Sequence, residues 1–255
     1  MKHKRLLMFT TFLVFVMISV LCVKELFTVK DVTVVYSVTS EKVSEEVASL
    51  LEKYYDQSIF SVDTNKIAEE ITANRYLKVI SVTKNYPNEI VVKLTQRTEK
   101  YYYLYNGEVY YFDEEYFVVR KGDNLLENAY LTEIVFCDLD GNNADAEVSL
   151  KSIFKFPNDY NEWCDIVCEK CAKVSDSVTK IFFISTNEQG NYRVRLQMRE
   201  GVVIEIRKAG EKLADKLESG IAFYQSAEEA KKIQGVIYVQ IDNNGNINSN
   251  HTFNG

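Results

Sequence analysis

The cysteines are the side chains of this sequence best suited to chemistry, and three of them lie close together. Cys164, Cys168 and Cys171 lie in one helical pattern, whose i, i+3, i+4, i+7 stripe consists of Tyr160, Trp163, Cys164, Val167, Cys171 and Val174. Cys168 and Cys171 also form a C-x-x-C motif, which in redox proteins sits at a helix N-terminus, where the helix dipole lowers the thiol pKa. Here the motif falls inside the predicted helix. The spacing therefore favours small, buried hydrophobic side chains over a redox pair.

Two other roles are possible for these cysteines. A metal site would need a fourth ligand, and the sequence places none near the stripe. With Cys137, four cysteines lie outside the apolar N-terminal stretch, and an even number in an exported protein is compatible with disulfides. We predict that no metal is bound, and the disulfide state of the four cysteines stays open at this stage.

Histidine is scarce, which argues against several classes of enzyme. The chain has only two, His3 near the N-terminus and His251 near the C-terminus. A Ser/His/Asp or Cys/His arrangement is therefore not supported, and neither an H-E-x-x-H motif nor a Gly-rich phosphate loop is present. These absences predict a protein that is not an enzyme, has no catalytic residues and uses no cofactor.

Short matches to other catalytic motifs are best explained by chance. Ser81 to Lys84 and Ser177 to Lys180 have S-x-x-K spacing, but the K-T-G-type strand of penicillin-binding enzymes is missing. The three consecutive acids at 113–115 could suggest glycosidase chemistry. Adjacent acids at the end of a predicted strand usually form a solvated turn, so we assign them no catalytic role.

The N-terminal stretch from Leu6 to Val23 is the strongest structural signal in the chain. Its 18 residues include no charge, proline or glycine, and as a helix they would span about 27 Å, close to the ~30 Å hydrocarbon core of a bilayer. Lys2, Lys4 and Arg5 precede it, as is typical of a cytoplasmic flank. We predict a cytoplasmic tail at residues 1–5 and a transmembrane helix at residues 6–23.

A cleaved signal peptide and a lipoprotein are the two alternatives to an uncleaved anchor. A cleaved signal peptide fits the basic flank, but the apolar run is long and no small-x-small site follows it. A lipoprotein would use Cys22, yet Leu21 stands where a small residue is expected. No second apolar run of this length is present, so the predicted topology is single-pass with most of the chain outside the cell membrane.

The residues after the anchor are strongly acidic. The whole chain of 255 residues has a net charge of -7, and without the three basic residues of the N-terminal tail 27 basic residues face 37 acidic ones. This excess argues against nucleic acid as a partner, and no motif indicates a small-molecule substrate. It is compatible with a soluble domain held near a cell surface.

Residues 27–97 have the pattern of a small α+β module. The predicted order is strand, two helices and two strands, with Asp63 capping the second helix. The predicted elements are the strand Val32–Tyr36, helices around Val43–Tyr54 and Ile67–Ile71, and the strands Leu77–Lys84 and Glu89–Gln96. Two helices on one face of a three-stranded sheet form a compact unit.

Residues 98–242 are predicted to form a second, β-rich domain. Asn106-Gly107 between two aromatic runs indicates a hairpin, because both residues accept positive φ. The domain should also contain a short helix around 148–154, the cysteine-bearing helix and a helix at 211–233. Further strands are predicted at 116–120, 133–138, 180–186, 192–199, 202–207 and 236–241, and residues 243–255 are predicted to be a flexible tail.

Several short stretches, taken in this order, carry a family resemblance. In the small module they are Phe27-Thr-Val29, Val32-Thr-Val34, Ile59 to Asp63, Val79 to Val82, Lys84 to Pro87 and Ile90 to Lys93. Further matches are Arg97, Asp113, Val203 to Arg207 and Val236 to Ile241. Together with the order of the parts, they resemble the FtsQ/DivIB family of bacterial cell-division proteins, and the small module resembles a POTRA domain. Nearly the whole chain is covered, which implies a transmembrane helix followed by an α+β ectodomain with a POTRA-like module and a β-rich domain.

The resemblance also implies a function. Family members are non-enzymatic scaffolds of the division machinery, enriched at the division septum. They bind the ectodomains of small single-pass coiled-coil proteins of the FtsL and FtsB/DivIC types. The alternatives are a membrane-anchored envelope enzyme, against which the missing motifs count, and a general envelope assembly module, which would be expected to have repeated modules and a C-terminal barrel.

The predicted last strand offers a route to partner binding. A terminal edge strand leaves N–H and C=O groups that a partner strand can pair with. The predicted partner-binding residues are Val236, Ile237, Tyr238, Val239 and Ile241 of this strand, and Tyr224 on the preceding helix. Tyr238→Ala or a charge at Ile237 is then expected to weaken binding without unfolding.

Two alternatives stay open for these surfaces. The strand at 236–241 could simply close the sheet, with Tyr238 packed on the core. An edge strand of the POTRA-like module is a second candidate surface.

Overall fold

The apolar N-terminal stretch is a single helix, α1 (Lys2–Leu26), in the computed structural model of the chain. Its segment Met8–Leu26 is long and apolar enough to cross a membrane, and it is the only such helix among the described residues. The side chains from Met8 onward are almost all exposed. The helix suggests a single-pass membrane anchor, because it contains the charge-free run Leu6–Val23.

The structure describes residues 2–37, 41–122, 130–138, 140–142, 146, 148–155, 161–185 and 192–253. The chain divides into two compact units, the N-terminal unit Met1–Arg97 and the C-terminal unit Thr98–Gly255. Each unit has a hydrophobic core of its own.

The N-terminal unit contains a three-stranded sheet and two helices after α1. Its elements are β1 (Asp31–Tyr36), α2 (Glu41–Leu51), a 3-10 turn (Glu52–Tyr54), α3 (Thr64–Thr72), β2 (Leu77–Asn85) and β3 (Glu89–Gln96). The central strand β3 pairs in parallel with β1 and antiparallel with β2. Apolar side chains of both helices pack with those of β3 in one core. The predicted β-α-α-β-β module is therefore confirmed.

Asp63 caps α3 as its sequence position predicts. Its Oδ1 accepts hydrogen bonds from the backbone N–H groups of Asn65 (2.9 Å) and Lys66 (3.5 Å). Asp63→Ala should destabilise the N-terminal unit by about 1 kcal/mol, because two N–H groups of the first turn lose their acceptor. Faster amide hydrogen exchange across residues 64–72 of the full chain would measure this effect. Asp63→Asn keeps an acceptor and is the control; if it speeds exchange equally, the cap does not stabilise the helix.

The C-terminal unit is built on one mixed sheet of nine strands. The order across the sheet is β12-β11-β10-β9-β8-β7-β4-β5-β6. The strands are β4 (Tyr101–Tyr105), β5 (Glu108–Phe112), β6 (Val118–Gly122), β7 (Thr132–Cys137), β8 (Val178–Ile184), β9 (Arg193–Met198), β10 (Val203–Ile206), β11 (Val236–Ile241) and β12 (Ile247–Thr252). Parallel pairing joins β4 to β7, β7 to β8 and β10 to β11. The predicted β-rich α+β character is confirmed.

Helices complete this unit. They are α4 (Asn161–Cys171), followed by a 3-10 turn (Ala172–Ser177), α5 (Leu213–Ser226) and α6 (Glu229–Lys232). α5 lies close to the sheet because residue 220 is glycine. A Cβ there would come within 2.8 Å of Ile204 Cγ2 and 2.9 Å of Val239 Cγ2. α4 and α5 contribute buried side chains to the same core as the sheet.

The Asn106-Gly107 hairpin agrees with its prediction. Both residues have positive φ, 51° and 78°, as the favoured two-residue hairpin turn requires. β4 and β5 pair on either side of the turn from Tyr105↔Glu108 to Tyr101↔Phe112. The turn and the aromatic strands are both local features, so the sequence alone predicts them.

Three sequence predictions in this unit are wrong. Residues 148–155 contain no helix; they form turns, and Ile153 makes an isolated bridge to Phe117. The helix predicted at 211–233 is interrupted and forms α5 and α6. The tail predicted at 243–255 contains a strand, because residues 247–252 form β12 and pair with β11 along its whole length; residues 254 and 255 lie outside the described residues.

Candidate partner-binding surface

β12 is one edge of the nine-stranded sheet. It pairs antiparallel with β11 from Val236↔Thr252 to Ile241↔Ile247, and within the described ranges no strand lies on its other side. Its exposed side chains are Asn248, Asn250 and Thr252. An edge strand presents backbone N–H and C=O groups that a further strand can pair with.

Side-chain hydrogen bonds fix this edge strand in place. Asp242 Oδ1 accepts from the backbone N–H groups of Asn244 (2.8 Å) and Asn246 (2.9 Å), which forms the turn into β12. Ser249 Oγ lies 2.8 Å from Ser219 Oγ on α5, and His251 Nε2 lies 2.9 Å from the Gln234 carbonyl oxygen. The abundance of Asn and Gly in this segment therefore reflects turn formation and a polar edge.

The predicted edge strand, 236–241, is an inner strand, which corrects the sequence-based expectation. β11 lies between β10 and β12. Of the six predicted partner-binding residues, four are buried and two are half-buried. The buried residues are Val236, Ile237, Val239 and Tyr224, and the half-buried ones are Tyr238 and Ile241. A partner cannot reach the four buried side chains without unfolding, because they pack in or against the core.

Tyr238 lies on the sheet face opposite to its strand neighbours Ile237 and Val239, which are in the core. The guanidinium of Arg207 lies over the Tyr238 ring, with its Cζ 4.2 Å from the ring centroid. This is a cation–π contact. Of the two alternatives for Tyr238, packing in the core is therefore ruled out, and the ring is left half-buried on a polar face.

A charged row crosses this face and ends at β12. Four residues are in register across neighbouring strands: Arg195 on β9, Glu205 on β10, Tyr238 on β11 and Asn250 on β12. We call these four residues, together with Arg207, the arginine row. Because registered residues of adjacent strands point to the same face, the row connects the charges directly to the free edge.

Glu205 is the centre of the row and is almost fully buried. Its Oε2 accepts from Arg195 Nη2 at 2.7 Å and its Oε1 accepts from Arg207 Nε at 3.0 Å, while Arg193 Nη1 lies 3.8 Å from Oε1. Burial raises the pKa of Glu205, but the hydrogen bonds and charges of Arg195 and Arg207 outweigh burial and hold the pKa below its ordinary value. Three guanidinium groups thus surround one carboxylate, which leaves a surplus of positive charge.

Sequence reasoning missed this row, although part of its pattern was visible. The strict alternation from Tyr192 to Met198 indicated one wet face, with Arg193 and Arg195 on it. Glu205 and Arg207 alternate with apolar residues in the same way. The register that aligns the two strands could not be read from either segment alone.

The cysteines form a buried cluster in the core. Cys164, Cys168 and Cys171 are all buried and free, and so is Cys137. Burial raises the pKa of Cys171, with the nearby Cys168 adding to the shift. Burial also raises the pKa of Cys168, and this effect outweighs the hydrogen bonds with Tyr116 and Tyr101, which lower it. A raised pKa disfavours the thiolate on which redox chemistry depends, and the buried positions agree with the predicted core role. Among the described residues no group of His, Cys, Asp and Glu side chains is placed to hold a metal ion.

The three-stranded sheet of the N-terminal unit offers two further edges, β1 and β2. Their backbone groups could pair with another chain in the same way as those of β12. Unlike β12, neither edge adjoins an arginine row in the part of this unit that the structure describes. Partner binding at these edges stays a prediction.

Comparison with known proteins identifies the N-terminal unit. Residues 27–97 match the family model described as POTRA domain, FtsQ-type. No curated protein matches the chain. The matched range covers β1 to β3 and both helices between them. It begins directly after the apolar helix α1. The chain therefore carries an FtsQ-type POTRA domain at residues 27–97, which supports a division-related role and its assignment to the FtsQ/DivIB family.

Proposed function

We propose that the chain is a non-enzymatic scaffold of the division machinery that helps to coordinate septal wall synthesis. In this proposal α1 anchors the chain in the cell membrane as a single span, with the N-terminus cytoplasmic and both units outside. The chain is enriched at the septum and binds the ectodomains of small single-pass proteins of the FtsL and FtsB/DivIC types. The observation that carries the proposal is the free edge strand β12 beside the arginine row.

The physical route to binding is strand addition. A partner segment that adopts an extended conformation pairs with the outer N–H and C=O groups of β12 and extends the sheet. On one face of the sheet, the Tyr238 ring lies one strand away from β12. The Arg207 guanidinium, at the end of β10, lies two strands away on the same face. Because the row has surplus positive charge, it favours a partner with an acidic residue beside its strand. Backbone pairing then supplies affinity, and the arginine row supplies selectivity.

The position of a fluorescent fusion in growing cells tests the cellular role. A band at midcell that appears before constriction supports a division scaffold. An even signal around the envelope contradicts the proposal, and the family match would then describe shape without this function.

Site-specific photo-crosslinking tests the surface. A photoreactive amino acid at Asn250 on β12 should crosslink to the FtsL-type or FtsB/DivIC-type protein of the same organism. The control is Lys121 on β6, at the opposite edge of the same sheet, which should give no such product. Equal products at both positions, or a product at Lys121 alone, would contradict binding at β12.

Charge reversal tests the arginine row. Arg207→Glu should weaken partner binding by about tenfold, because it removes the cation–π contact and places a negative charge where an acidic partner residue is expected. The affinity of the full chain in detergent for the partner, measured at low and high salt, reports the effect. Lys121→Glu changes the net charge equally and should leave the affinity unchanged; equal losses for both variants would mean that only net charge matters.

A further inference from the structure

Three aromatic side chains meet where α1 ends. The ring centroids of Phe27 and Phe60 are 4.9 Å apart, and those of Phe60 and Tyr86 are 5.7 Å apart. We call these residues the aromatic cluster. Phe60 is 61 % exposed and Tyr86 is 56 % exposed, although both rings have aromatic neighbours. A cluster of large apolar rings left open to solvent indicates a surface that contacts something else.

Backbone hydrogen bonds hold the cluster next to the helix end. Phe27 N–H donates to the Val23 carbonyl at 3.1 Å, so Phe27 continues the last turn of α1. Ile59 N–H donates to the Phe27 carbonyl at 2.9 Å, which fixes the loop that carries Phe60. Lys30 N–H donates to the Asn88 carbonyl at 2.9 Å, which fixes the turn that carries Tyr86. Neither aromatic loop can move away from α1 without breaking these bonds.

The length of α1 places the cluster at a definite depth. The charge-free run Leu6–Val23 has 18 residues, which as a helix span about 27 Å, close to the ~30 Å hydrocarbon core. Val23 therefore lies at the boundary of that core, and the charged residues Lys24 and Glu25 lie just outside it. The polar interfacial layer on each side is roughly 5 to 8 Å thick. Phe27 comes four residues after Val23, about 6 Å further along the helix, and the Phe60 ring lies within one such thickness of the Phe27 ring.

We propose that the aromatic cluster rests in the lipid headgroup layer of the membrane that α1 spans. The inference depends on the proposed membrane anchor, but it adds a second contact between the N-terminal unit and lipid. Aromatic rings are favoured at this depth, where the ring meets acyl chains and a Tyr hydroxyl meets water. With the helix and two loops attached, the POTRA domain is held at a fixed height and tilt above the bilayer.

One exposed aliphatic residue in the same unit serves as a contrast. Ile80 on β2 is 55 % exposed, about as much as Tyr86. It lies five residues before the end of β2 at Asn85, roughly 17 Å along the strand. In the proposed arrangement β2 runs away from the bilayer from the turn that carries Tyr86, and this distance exceeds the thickness of the interfacial layer. Ile80 should then stay in water while Phe60 and Tyr86 contact lipid.

Tryptophan quenching in vesicles tests the proposal with the full chain. Phe60→Trp, Tyr86→Trp and Ile80→Trp are each made together with Trp163→Phe, so that each variant has one indole. The chains are reconstituted in phosphatidylcholine vesicles that contain a headgroup-nitroxide lipid. Quenching of the Phe60→Trp and Tyr86→Trp variants should be at least about threefold stronger than that of Ile80→Trp.

A fourth variant separates this proposal from the anchor itself. Phe12→Trp, inside α1, is measured with a nitroxide placed on the acyl chain. If Phe12→Trp is quenched while Phe60→Trp and Tyr86→Trp match Ile80→Trp, the anchor stands and the aromatic cluster does not touch lipid. If Phe12→Trp is not quenched, the anchor is overturned, and the inference is overturned with it.

Discussion

Replacing Ile237 by Asp is expected to unfold the C-terminal unit, by a loss of about 4 kcal/mol or more in the free energy of unfolding. Ile237 is 0 % exposed and belongs to the main core cluster. A carboxylate at position 237 would either be buried without a partner or have to take up a proton, and both cost free energy. Since domains are stabilised by only about 5 to 15 kcal/mol, most of the stability is lost. Thermal unfolding of the full chain in detergent, followed by near-UV circular dichroism, measures the change.

A matched control lies on the same strand. Gln240 on β11 is exposed, and Gln240→Asp should change the stability by less than about 0.5 kcal/mol. Under the edge-strand hypothesis a charge at Ile237 would weaken partner binding and leave the fold intact. A stably folded Ile237→Asp variant would contradict the buried position of Ile237 in the core and would restore that hypothesis.

Replacing Glu205 by Gln is expected to destabilise the C-terminal unit by about 2 kcal/mol. Removing one partner of a buried ion pair typically costs about 3 to 5 kcal/mol. We reduce this value because the side chains of Arg195 and Arg207 are 40 % and 43 % exposed and water can hydrate them. Gln keeps the size of the side chain and one acceptor oxygen, so the loss reports the negative charge together with the hydrogen bond that the second carboxylate oxygen accepts from an arginine. Urea unfolding at pH 7 gives the difference.

The same carboxylate should make stability depend on pH. The two arginines hold the pKa of Glu205 below its ordinary value in the folded state. A depressed pKa gives stability that is present above the unfolded-state pKa, about 4.3 for glutamate. This stability is lost as the pH falls through the lower, folded-state pKa.

Comparing the two proteins isolates this contribution. The stability difference between the natural chain and Glu205→Gln should shrink as the pH is lowered from about 5 through this window. A difference that stays constant between pH 7 and the acid range would contradict a charge-based role for Glu205. The buried position alone would then explain any effect.

Several features were predictable because their causes lie within short stretches of sequence. The charge-free run Leu6–Val23 predicts α1, because a helix that is apolar on all sides can be recognised from its own sequence. The residue type and position of Asp63 predict the N-terminal cap of α3, and the pair Asn106-Gly107 predicts the turn between β4 and β5. The stripe that contains Cys164 predicts buried thiols because its spacing already defines one face of a helix.

The tertiary structure decided the features that concern partners. β12 has almost no apolar alternation, so its strand conformation comes from pairing with β11 and from contacts such as Ser249 with Ser219. The face that Tyr238 occupies depends on which residues of α5 cover Ile237 and Val239. The row from Arg195 to Asn250 joins four segments through strand register, and the aromatic cluster joins Phe27 to two distant loops. Short patterns define local elements, whereas a surface is made by residues far apart in sequence that only the folded backbone brings together.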